Sequence, residues 1–345
     1  MTTNSDSAAR SRISFRKLLR AALVGVVLGG VGFGSFLVPI PFLFEYLPGP
    51  VRDVSDLVDV TRARTYPSKG SLFLTTVSVD TDVTLVEMLL AAVDKEKVVV
   101  LENQVTGGSS LDQLQEAQKR EMVSSKEFAR TVAIRAAGLG RPQGDGVRVV
   151  SVRGGAPADG VIEQGDVIVA VGTRRTATTC DVGAAVVASD IGETLTVTVE
   201  RAGRKRRFSL ETVAAPGNPA TSYLGITMED INYRFEPAVR VHFDTGRIAG
   251  PSAGLMLSLA LYDRLTPLDL SSGRSIAGTG TISCDGEVGP IGGVEQKVAG
   301  AERKGAEVFL SPVANAEAAR TSADSIEVVA VSSFQDAVDY LEPSQ

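Results

Sequence analysis

A glycine-proline turn that runs straight into seven apolar or small residues constrains this chain more tightly than any other feature. Gly250-Pro251-Ser252-Ala253-Gly254 is followed by Leu255-Met256-Leu257-Ser258-Leu259-Ala260-Leu261. Proline has a fixed φ and no N–H, which suits the first turn of a helix. The run behind it is long enough for a buried helix, with Pro267 past its end near Leu265. Ser252 then falls where unpaired backbone N–H groups and the positive dipole end gather. A hydroxyl there is either a cap or a nucleophile beside an oxyanion site, with the amides near Ser252 and Ala253 as donors.

A second glycine-rich turn, Gly286-Glu287-Val288-Gly289-Pro290-Ile291-Gly292-Gly293, leads into the helical pattern Val294–Ala301. Lys297 has Val294, Val298 and Ala301 as helical neighbours. A lysine on a partly apolar face loses hydration, its pKa falls, and the neutral amine becomes a base. Serine with a lysine base is a known nucleophile–base pair. Taken alone, Ser252 reads as a cap and Lys297 as a surface lysine; together they read as a dyad. His242, on the polar face of the alternating strand Val239–Asp244, is a weaker base candidate. Asp263, Glu287 and Glu295 read as surface charges.

The two stretches resemble the two motifs of the Lon protease family's proteolytic domain. They come in the family's order, with Ser252 and Lys297 45 residues apart. The resemblance covers residues 223–341. It implies Ser252 as nucleophile, Lys297 as general base, and Thr279, in a strand Ile276–Ile282, as the residue that orients the lysine. Ala249 departs from the acidic residue that many members carry there.

No Gly-x-x-x-x-Gly-Lys-[Ser/Thr] occurs, so a protease here is expected to work without ATP. The formal charge of −6 argues against a nucleic-acid binder, and one histidine with two scattered cysteines makes a poor zinc set. No cofactor or metal is expected. Whether Cys180 and Cys284 form a bridge is not decided by the sequence.

Residues 1–20 form a basic tail. Residues 21–44 hold no charge, and 24 positions suffice for a transmembrane helix, with the basic flank kept in the cytoplasm and the rest exported. Residues 45–137 read as a connecting region: a strand within Ser71–Val79, which by the Lon resemblance pairs with the C-terminal sheet, a helix Thr84–Val93 and a helix Ser110–Ala137. Residues 138–213 carry Val147–Val152 as a strand, an Ala-Pro-Ala turn, Gly165-Asp166-Val167-Ile168, a helix Asp181–Ser189 and a hairpin around Ala202-Gly203. This succession resembles a PDZ domain, which binds a peptide as an added strand. The groove is expected between Val147–Val152 and Asp181–Ser189, with Gly138-Leu139-Gly140 as carboxylate loop. The basic hairpin residues 201–207 read as a solvated turn.

Residues 214–219 read as a linker, and Leu224–Met228 as the opening of a proteolytic domain over 220–341. Strands and helices mix without a regular βαβ repeat, which gives the class α+β. The whole layout resembles the membrane-anchored, PDZ-containing Lon-like proteases of bacteria. It implies a membrane-anchored serine endopeptidase acting on exported proteins or peptides, and a homo-oligomer is compatible with it. The rival reading is a membrane-tethered PDZ scaffold or chaperone that no longer cleaves.

Overall fold

The computed structural model describes residues 38–342 apart from Lys95, Gly217 and Pro237. The chain divides into two compact units, one of residues up to 47 with 79–108, the other of 48–78 with 109 onward. The basic tail and the uncharged run up to residue 37 lie outside the described residues. The run's expected end at Phe44 is corrected, because Leu43–Pro48 is a strand. Pro39 and Pro41 account for this, since neither supplies the N–H a helix needs. Among the described residues no helix is long and apolar enough to cross a membrane.

In a three-stranded sheet Leu43–Pro48 lies between Val77–Asp80 and Val98–Leu101, and residues 43–47, 79–80 and 98–101 of it belong to the smaller unit. The helix Leu85–Ala91 starts at Thr84, whose hydroxyl accepts from Glu87 N while Glu87 Oε2 accepts from Thr84 N, a complete capping box.

The larger unit is built on a five-stranded sheet in the order Arg52–Asp53, Ser71–Leu74, Ser275–Gly278, Val308–Pro312, Glu327–Val331. The last four strands are mutually parallel. Ser71–Leu74 therefore pairs with the C-terminal sheet, as the resemblance implied. Alternation sorts its side chains. Leu72, Leu74, Ile276, Val308 and Leu310 face one core with the helices Leu111–Ala136, Gly254–Leu265 and Phe334–Leu341. Phe73, Ala277 and Phe309 face another with Val294, Val298 and Ala301 of the helix Val294–Arg303. Consecutive parallel strands joined by Val294–Arg303 and by Ala316–Ser322 are βαβ units. The expectation of no βαβ repeat is thus corrected to a mixed α/β arrangement. The pattern was hidden because Val308–Pro312, buried along its whole length, does not alternate.

Between Leu111–Ala136 and Arg240–Phe243 lies a second sheet with its own core. Its order is Arg204–Glu211, Thr194–Arg201, Val167–Val171, Val147–Val152, Ile226–Asp230. The hairpin turns through Ala202 and Gly203, both at positive φ, as a two-residue turn matched to strand twist requires. Ile226–Asp230, read from sequence as opening the proteolytic domain, is instead an edge strand of this sheet, antiparallel to Val147–Val152. Only then does Arg240–Phe243 pair with Val58–Thr61. The sheet is therefore inserted between two elements that pack in the core of the other.

One covalent link joins them. Cys180, in the first turn of the helix Thr179–Val187, is bridged to Cys284, which follows the strand Thr281–Ile282. Replacing both cysteines by serine should lower stability by about 2–4 kcal/mol. The readout is a drop in Tm that a thiol reductant reproduces in the unaltered chain; equal melting of oxidised, reduced and substituted protein would show that the bridge contributes nothing.

Candidate active site

Gly250 sits at φ 85°, a conformation that disfavours a side chain, and hands the chain to a 3-10 turn, Pro251–Ala253. The α-helix starts only at Gly254. Ser252 thus lies in a tight turn ahead of the helix rather than in its first α-turn. Leu255, Met256, Leu257, Leu259 and Leu261 behind it are fully buried, which fixes the helix and so the turn. Ala253 is buried and Ser252 half-buried.

The turn is held from two sides. From the long helix Leu111–Ala136, Gln118 O accepts from Gly250 N at 3.1 Å and Ser125 Oγ donates to Pro251 O at 3.0 Å. From the break between Ser275–Gly278 and Thr281–Ile282, Gly280 N donates to Ser252 O at 2.9 Å, and Gly280 O accepts from Leu255 N at 3.1 Å. The single strand expected over Ile276–Ile282 is interrupted at Thr279-Gly280, and this interruption turns the chain toward Ser252.

Thr279 is buried at the break, its N–H given to Leu310 O. Its hydroxyl donates to Ser252 O at 3.1 Å and accepts from Lys297 Nζ at 3.0 Å. Lys297 is only 3 % exposed, on the sheet-facing side of its helix. Burial disfavours the ammonium form and brings its pKa down to about 8. Ser252, Thr279 and Lys297 are thereby gathered in one hydrogen-bonded group. His242 is elsewhere, exposed on the strand Arg240–Phe243. Glu287 is exposed and Glu295 half-buried. Asp263 is corrected from a surface charge to a buried one: its Oδ1 accepts from Leu270 N at 2.7 Å, and burial raises its pKa. Sequence reasoning missed Ser125 and Gln118, which it placed on a merely solvated helix. Nothing local marks them, since each acts on a turn more than a hundred residues away. Among the described residues no group of three or more His, Cys, Asp or Glu could hold a metal ion.

The expected peptide groove is also corrected. Val147–Val152 is paired on both edges, so no strand can add there. The sheet has two edge strands, Arg204–Glu211 and Ile226–Asp230, and of these Ile226–Asp230 is the one beside the helix Thr179–Val187. Ile226 and Met228 are half-buried against the core that holds Val182 and Val186, and Asp230 Oδ1 accepts from Thr179 N at 2.5 Å. Gly225, at φ 80°, precedes the strand, where a Cβ would come 2.1 Å from Ala156 Cβ. Gly138, expected in the carboxylate loop, instead ends the long helix: its N–H reaches Arg135 O and Leu139 N reaches Ile134 O.

A Cβ at Gly254 would lie 2.7 Å from Ile282 Cγ2 and 2.8 Å from Ser125 Oγ. Gly254→Ala should therefore destabilise by about 1–3 kcal/mol through overpacking, measured by chemical denaturation, whereas an unchanged midpoint would mean that the turn yields.

Residues 112–212 match the PDZ domain family, and residues 211–341 match the Lon protease (S16) C-terminal proteolytic domain. Lon protease 2 of Bacillus subtilis (strain 168) is 34% identical over 102 residues, 29% of this chain and 18% of that protein. The Lon protease of Roseiflexus castenholzii (strain DSM 13941 / HLO8) is 41% identical over 80 residues, 23% of this chain and 10% of that protein. In both, the match spans under a fifth of the relative's own length. The crystal structure of the PDZ domain of the SdrC-like protein Lin2157 from Listeria innocua aligns at 22% identity and TM-score 0.23, over 24% of this chain and 93% of that one. The chain thus carries a PDZ domain and, C-terminal to it, a Lon-type proteolytic domain.

Proposed function

We propose that this chain is an ATP-independent, membrane-anchored serine endopeptidase in which Ser252 is the nucleophile and Lys297 its general base. The observation that carries the reading is the buried amine of Lys297, hydrogen-bonded through Thr279 to the turn that holds Ser252. Neutral Lys297 takes the Ser252 proton as Oγ bonds to the scissile carbonyl carbon. The amides of Ser252 and Ala253 hold the oxyanion. The C–N bond breaks, Lys297 returns the proton to the leaving amine, and water activated by Lys297 then hydrolyses the ester. Thr279 spends its own proton on Ser252 O, so its oxygen is left to accept from the lysine and hold it in place.

The groove beside Ile226–Asp230 takes a substrate's C-terminal end as an added strand, with the loop before Ile226 receiving the carboxylate. The uncharged run ahead of residue 38 anchors the chain, and the basic residues before it favour export of the PDZ and proteolytic domains. A disulfide between Cys180 and Cys284 supports an oxidising compartment for both domains.

The test is cleavage of casein or a quenched peptide by the full chain in detergent without ATP. Ser252→Ala and Lys297→Ala should each lower turnover by about 10³-fold or more, with peptide binding retained. Activity that survives in both would sink the dyad, and no activity in any form would favour the scaffold reading. A base whose pKa lies near 8 is protonated and idle below that value, so kcat/KM should climb from neutral pH and level off above about 8. A profile that falls over that range excludes a lysine base. For the groove, Met228→Glu should abolish binding of a free C-terminal peptide while leaving cleavage of a short unstructured substrate intact; binding that persists would place the peptide elsewhere.

A further inference from the structure

The helix Leu85–Ala91 turns Leu85 and Met88 toward its own unit, where they are half-buried. Its other side carries Val86, Leu89 and Leu90, and Val93 in the turn that closes it. The spacing i, i+3, i+4, i+7 makes these one stripe. Leu89 is 55 % exposed, Leu90 53 % and Val93 83 %. A contiguous apolar stripe of this kind on a folded surface marks something that covers it.

The same unit receives the uncharged run. Ile40 N donates to Val83 O at 2.8 Å, and Pro39 bridges to Thr84, the cap of this helix. Val38 and Phe42, at the end of the run, are themselves exposed, Phe42 by 69 %. The run therefore enters the unit within one turn of the stripe. We propose that this stripe, with Val38 and Phe42, rests in the interfacial layer of the lipid bilayer that the uncharged run ahead of residue 38 enters. The proposal rests on the anchor reading above. The four stripe residues bear no charge, so the attraction is apolar: a zwitterionic bilayer suffices and salt does not weaken it.

The chain contains no tryptophan, so one introduced indole reports alone. The full chain carrying Leu90→Trp or Val93→Trp is reconstituted into phosphatidylcholine vesicles, with and without bromine on the acyl chains. The control is Val313→Trp, at an exposed position of the larger unit. Flotation of the unaltered chain with the vesicles is measured first. The expected result is a blue shift and a loss of emission in brominated vesicles at positions 90 and 93, unchanged by salt, with neither at 313. A blue shift without loss in brominated lipid means that protein, such as a second copy of this chain, covers the stripe, and overturns the proposal. An unshifted, unquenched indole overturns it too. Failure of the unaltered chain to float removes the anchor, and the proposal with it. Two positions guard against one misfolded variant.

Discussion

A lysine amine kept out of water is the constraint on which the proteolytic half depends. Transferring an ammonium group into a protein interior is costly, and the group responds by giving up its proton more readily. The helix Val294–Arg303 tolerates this because Val294, Val298 and Ala301 secure it to the sheet, and because Thr279 supplies a partner for the amine. Thr279 can do so only where its strand breaks. The same break sends Gly280 to both Ser252 and Leu255. The Lys297 amine, the Thr279 hydroxyl and the Ser252 turn are consequently three expressions of one local geometry, held between a buried helix and a parallel sheet.

Much of this was legible in the sequence, and the residues show why. Ser110 before Leu111 and the positive-φ pair Ala202-Gly203 are local signals whose partners lie within a few positions, so a helix start and the hairpin were readable. Gly250-Pro251-Ser252 and Lys297 were expected together from the order of their motifs, and the structure brings them together through Thr279. What failed was pairing across distance. Alternation in Val147–Val152 tells which side chains face inward, but not that Ile226–Asp230 occupies one of its edges. Nothing in the sequence near Ser125 points to Pro251, and no spacing rule joins Cys180 to Cys284. Asp263 failed for a related reason: it lies on a helix buried on nearly every side, and the N–H it accepts belongs to Leu270, beyond the helix end.

The long helix Leu111–Ala136 and the strand Arg240–Phe243 flank the inserted sheet, yet both belong to the core around the Gly254–Leu265 helix. An insertion between two such fixed points leaves the host fold undisturbed if the ends of the insert lie near each other. It also means that the segment leaving the PDZ domain is the one that carries the chain, within nine residues of Phe243, to Ser252. The edge strand Ile226–Asp230 and the Ser252 turn are thus neighbours along the chain.

The Cys180–Cys284 bridge closes a ring of chain, and that ring contains the groove strand Ile226–Asp230, the hairpin of strands Val213–Ala215 and Asn218–Tyr223, and Ser252 itself. Loop tips are where proteolytic cuts fall. Any single cut inside the ring leaves the two pieces covalently joined and still packed together in the cores they share. A molecule nicked there would keep its covalent continuity until its thiols were restored.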